Sequence, residues 1–152
     1  MSEEANVGPG AVATLRSSGQ AFLTLVTIRL AMIVMPLARL RALVESARPK
    51  PGCRYRPSRD EIASSVMRAS VSVPGLRNCL CRALATKRIL NRFGYQSELK
   101  IGARKTNDRG FHAHAWVESE GRVLIGDLPE LNQFGVMNGA DATAGVSNES
   151  SR

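Results

Sequence analysis

Three kinds of side chain able to run acyl chemistry follow one another along the sequence: thiols in RNCLCRAL, imidazoles in FHAHAWVES and a carboxylate in LIGD. A thiolate attacks a carbonyl carbon, an imidazole moves the protons, and a carboxylate fixes the imidazole tautomer and stabilises its cation. Cys79, His114 and Asp127 are the candidates for these roles. Asn78 reads as an N-cap, which puts Cys79 in the first turn of a helix. There the free N–H groups and the positive end of the helix dipole favour a thiolate. With Cys79 at zero on a wheel turning about 100° per residue, Ala83, Thr86, Leu90 and Phe93 lie within about 40° of it. Cys81, Arg88 and Arg92 gather near ~200°. Cys79 is therefore expected to head the face that packs on the core, and Cys81 is expected to look outward.

On a strand, alternation puts His112, His114 and Trp116 on one face and Ala113, Ala115 and Val117 on the other. A two-residue turn at Glu120 and Gly121 pairs Ser119 with Arg122, and counting back brings His114 opposite Asp127, with Cβ atoms about 4.5–5.5 Å apart. A three-residue turn would instead oppose Asp127 to Ala113 and send its side chain to the other face. The expected arrangement is a thiol at a helix start, an imidazole on a strand facing that helix, and a carboxylate holding the imidazole. Taken singly, each residue has a plainer reading: His114 as a satisfied core histidine, Asp127 as a turn residue before Pro129, and Cys53 and Cys81 as small buried hydrophobes. Convergence of three groups on one centre favours catalysis. Cys79, Cys81, His112 and His114 also make a tetrahedral zinc set on paper. Helical residues two apart point about 200° apart, however, so the two thiols cannot both reach one ion unless the helix begins later than Cys81, and zinc ranks below catalysis. No metal and no cofactor is expected.

These residues need elements to hold them. Ser58 followed by Glu61 is a capping-box pattern that starts a helix running to about Val71. Asn78 before and Gly94 after bound a second helix over Cys79–Phe93. Leu99, Ile101 and Ala103 then alternate with polar or small neighbours as a strand does, RKTNDRG turns, and FHAHAWVES with RVLIGD makes a hairpin. Helices followed by antiparallel strands specify an α+β fold. Upstream, residues 21–47 are apolar and helical, broken or bent at Pro36. Apolar residues all round that segment would leave surface uncovered unless something packs on both sides. Arg29 in its middle disfavours a membrane span. Domain organisation reads as a flexible N-terminus over 1–20, the apolar helical segment and a Pro-rich linker over 21–57, a core over 58–137, and a disordered tail over 138–152.

The chain of 152 residues has room for one hydrophobic core. Three cysteines, and a start that is acidic and Gly/Pro-bearing where a secretory signal is basic and then apolar, fit a reduced, cytoplasmic protein. A net charge of +8 raises nucleic acid as a partner. The excess is dispersed, with nine basic and four acidic residues in 1–60 against twelve and nine in 61–152. With no zinc-finger spacing and no RNP-like aromatic motif, specific nucleic-acid binding is not expected.

The order Cys, His, Asp with the nucleophile on a helix is the layout of the papain and transglutaminase group. More closely, PGLRNCLCRALATKRILNRFGYQSELKIGARK followed by FHAHAWVESEGRVLIGD resembles the stand-alone, transglutaminase-like leader peptidases of lasso-peptide biosynthesis, over about Arg59 to Asp127. The C-L-x-R-A-L and H-A-W-V-E motifs carry the resemblance. It implies a papain/transglutaminase-like core of helices followed by an antiparallel sheet. It also implies a cysteine peptidase that removes the leader from a ribosomally made precursor, with Cys79 as nucleophile, His114 as general base and acid and Asp127 as orienting acid. His112 sits where the family does not require histidine. The implied partners are the precursor's leader, a separate leader-recognition protein and a separate cyclase that closes the macrolactam. The segment 21–47 is the candidate docking surface. A transglutaminase-type acyl transferase with the same three residues, and a non-catalytic scaffold binding a peptide or partner, are the alternatives.

Overall fold

The computed structural model of the protein describes residues 9–49, 56–72, 76–105 and 110–137. Cys53 and the tail over 138–152 lie outside these residues. A long helix, α1 (Pro9–Val34), stops just before Pro36, and α2 (Leu37–Glu45) resumes beyond it. α1 thus starts well before Ala21, inside the segment that the sequence suggests is flexible. Ser58 accepts from the Glu61 backbone N–H while Glu61 reaches back to the Ser58 N–H, and this reciprocal cap opens α3 (Arg59–Val71). Asn78 accepts from the Leu80 N–H and opens α4 (Cys79–Arg92), which Phe93 and Gly94 close.

Strands β1 (Glu98–Lys105), β2 (Phe111–Ser119), β3 (Arg122–Ile125) and β4 (Gly135–Val136) form one antiparallel sheet in the order β3-β2-β1-β4. Glu120 and Gly121, with φ of 53° and 74°, make the two-residue turn that matches strand twist and pairs Ser119 with Arg122. The fold is therefore α+β, as the order of the elements requires.

Helical stripes explain the core. Ala21, Leu25 and Ile28 of α1, Leu40 and Val44 of α2, and Ile62, Val66 and Ala69 of α3 are buried at three- and four-residue spacing. They close over α4, whose other side rests on the sheet through Leu99, Ala115, Val117 and Ile125. α4 is thus enclosed by helices and strands together. Cys81, expected outward from the helical wheel, is fully buried against Leu25 of α1, which agrees with its plainer reading as a small buried hydrophobe. Segment 21–47 builds this core with one stripe and leaves Leu23, Leu30, Ile33 and Val34 exposed with another. No helix among the described residues is long and apolar enough to cross a membrane.

Candidate active site

Cys79 begins the helix that the core encloses, and it is half-buried. Its thiol lies 3.9 Å from Asn78 Oδ1, the same oxygen that takes the Leu80 N–H at 2.9 Å. One side chain therefore caps the helix and touches the sulfur. Two residues on, the Cys81 thiol donates to the Leu25 carbonyl at 3.6 Å. Burial pushes the Cys81 pKa up, against the opposing pull of Arg29 and Arg82.

His114 is set by the sheet. Ala115 and Val117 point into the helical core, so His114 and Trp116, one residue out of phase, point to the opposite face. There Phe134 covers them, with His114 and Trp116 rings 6.2 Å apart at 15° and His114 and Phe134 rings 5.6 Å apart. The expectation that the imidazole faces the helix is corrected by this alternation. His114 Nε2 lies 2.7 Å from the Gly126 carbonyl. A carbonyl oxygen only accepts, so Nε2 carries the proton and Nδ1 of the neutral ring holds the lone pair.

Asp127 is exposed. The two-residue turn forms as counted, but a bulge between Val117 and Glu118 shifts the pairing, so Val117 meets Ile125, and β3 ends there. A bulge adds one residue to one strand and moves everything beyond it out of register. Asp127 therefore does not stand across the ladder from His114, and Gly126 is the residue that reaches the imidazole. Among the described residues no hydrogen bond joins Cys79 to His114 or His114 to Asp127. The His112 ring is exposed and meets Phe134 edge-on at 5.7 Å. No group of three or more metal-ligating side chains occurs among the described residues, so the paper zinc set is not assembled.

Several residues around His114 escaped the sequence reading. Glu118 accepts from Trp116 Nε1 at 2.7 Å and from Lys100 Nζ at 2.6 Å. The Lys100 and Trp116 hydrogen bonds hold its carboxyl below the usual carboxylate range, and the Glu118 bond raises the Lys100 pKa. Same-face spacing in HAWVE was a usable signal for Glu118, because Trp116 and Glu118 are two apart on a strand. Phe134 arrives by a 3-10 turn over Leu131–Gln133 and the short return strand β4, and Arg104 spreads over its ring at 5.3 Å. No local pattern announces that approach.

Residues 22–139 match the family model described as the transglutaminase-like superfamily, a span that holds Cys79, His114 and Asp127. No curated protein and no solved structure matches the chain. A match over most of the chain agrees with an enclosed helix headed by a cysteine and followed by an antiparallel sheet with its histidine on the second strand, and the chain belongs to the transglutaminase-like superfamily.

Proposed function

We propose that the protein is a cysteine peptidase that removes the leader from a ribosomally made lasso-peptide precursor. The observation that carries the reading is Cys79: a half-buried thiol at the first turn of the central helix, in a superfamily that includes cysteine peptidases and transglutaminases. His114 Nδ1 takes the Cys79 proton, and the sulfur attacks the carbonyl carbon at the leader–core junction. The C–N bond breaks as His114 returns that proton to the departing amine, leaving a thioester on Cys79. Water, giving a proton to His114, then attacks the thioester and releases the leader acid and the thiol. Asp127, one residue beyond the carbonyl that His114 holds, supplies negative charge near the imidazolium.

Cys79 and His114 make no hydrogen bond to each other, and His114 lies on the sheet face turned away from the body of α4, so the proton transfer between them is the step that the His114→Ala variant tests. Catalytic hydrogen bonds commonly tighten only in the substrate complex. The free core amine is then the substrate of a separate cyclase. A separate recognition protein delivers the leader, and the exposed stripe of Leu23, Leu30 and Ile33 on α1 is its docking surface.

The test is to incubate the purified protein with a precursor and its recognition protein and to weigh the products. Expected are the leader acid and the core amine with wild type, and intact precursor with Cys79→Ala or His114→Ala. Cleavage by Cys79→Ala would refute the peptidase reading. An added primary amine appearing in the leader product would assign acyl transfer in place of hydrolysis.

A further inference from the structure

We propose that the backbone carbonyl of Gly126, and not the carboxylate of Asp127, fixes the tautomer and ring orientation of His114, which makes Gly126 a positioning residue for the proposed base. The inference rests on the peptidase reading for what the base does, while the orientation itself is independent of it.

Four observations converge. His114 Nε2 and the Gly126 oxygen are 2.7 Å apart, within the range of a good N–H···O bond. Asp127 is exposed and forms no hydrogen bond or ion pair with another described residue. The bulge beside Val117 and the end of β3 at Ile125 bring the main chain, and not the next side chain, against the ring. Gly126 adopts φ +84°, and a Cβ there would lie 2.6 Å from the Ala115 carbonyl oxygen and 2.9 Å from Trp116 Cβ. Both the backbone conformation and the space exclude a side chain. The glycine is what allows the chain to approach β2 closely enough for its carbonyl to reach His114.

Trp116 and Phe134 bracket the imidazole, so the ring has both its plane and its Nε2 proton fixed. Nδ1 is left as the nitrogen that accepts a proton. A main-chain acceptor does this without a side chain that can rotate away.

The chain has two histidines, so 15N-histidine labelling of the full-length protein, with His112→Gln for assignment, reports the His114 tautomer directly. Wild type is expected to show a single Nε2–H form when the ring is neutral. Asp127→Ala is expected to keep that form and to slow cleavage by less than about tenfold, whereas losing a carboxylate that itself holds the tautomer costs about 10⁴-fold in a catalytic triad. Gly126→Ala must displace the carbonyl. It is expected to yield mixed tautomers and to lower kcat by about 100-fold or more with KM little changed, since a misplaced base removes transition-state stabilisation only.

A change of His114 to Nδ1–H or to a mixture in Asp127→Ala would overturn the proposal, as would wild-type tautomer and rate in a folded Gly126→Ala. If Gly126→Ala does not fold, the Asp127→Ala spectrum decides. A protein that cleaves no precursor yet keeps the Nε2–H form in Asp127→Ala would sink the peptidase reading and support this one.

Discussion

Cys79 and Cys81 are separated by one leucine and by very different surroundings. The first is half-buried at a helix start; the second is fully buried against the Leu25 carbonyl, with its pKa raised by burial. A thiol reacts through its thiolate and through access, and Cys81 lacks both. Alkylation of the native protein should therefore modify Cys79 first, with Cys81 at least about tenfold slower because it waits for local opening. Both thiols fall in one tryptic peptide, Asn78–Arg82, so fragment masses separate them. Equal rates would show that α4 does not hold Cys81 against α1. The sequence made the directions of the two side chains legible, because they follow from 3.6 residues per turn. It did not reveal that both directions lead inward. A wheel drawn for one helix has no knowledge of Leu25, 56 residues away. Gly126 was hidden for a similar reason: its contact with His114 depends on a bulge at Leu124, and β-periodicity assumes none.

At the scale of elements, the clearest sequence signals were caps and turns, whose physics is local. Ser58 with Glu61, Asn78, and Glu120 with Gly121 each satisfy or redirect backbone within four residues, and α3, α4 and the hairpin start where these motifs put them. β4 carried no such signal, since two residues have no period and their pairing with Gly102 and Ala103 spans much of the sheet region. The face taken by His114 was likewise settled at a distance, by the fit of Ala115 and Val117 under α4. The two helix caps differ in consequence. Ser58→Ala and Asn78→Ala each remove one side-chain acceptor at a helix start and should cost about 1 kcal/mol. For a chain of this size that is a fall in Tm of about 2–4 °C. Asn78 also touches the Cys79 sulfur, whereas Ser58 caps a helix that carries neither Cys79 nor His114. Calorimetry should therefore find similar losses, while the proposed leader cleavage should slow in Asn78→Ala alone. Equal slowing in both variants would mean that stability, and not the start of α4, sets the rate.

Taken whole, the molecule is a helical core on one face of a sheet and a small aromatic layer on the other. Trp116 and Phe134 belong to the second layer, and Gly102 leaves room for it, since a Cβ there would meet both aromatic side chains at 3.1 Å. Glu118 ties that layer down by taking the Trp116 N–H, and Lys100 pairs with the same carboxylate. The chain already carries a net +8, so acid adds positive charge to a surface that repels itself and removes the carboxylate on which this layer depends. The sign is fixed by the direction of the shift. A carboxyl held below the usual range in the folded state contributes stability that is complete above its unfolded value and is lost as pH falls through the folded one. Thermal midpoints should therefore fall as pH drops through and below the carboxylate range. Glu118→Gln should melt below wild type at neutral pH and show a shallower fall, so that the two curves converge in acid. Trp116 is the only tryptophan, and its fluorescence reads this layer without labelling. Curves for wild type and Glu118→Gln that stay parallel from neutral pH to acid would show that Glu118 has no part in the acid sensitivity, and the charge of the whole surface would then account for it.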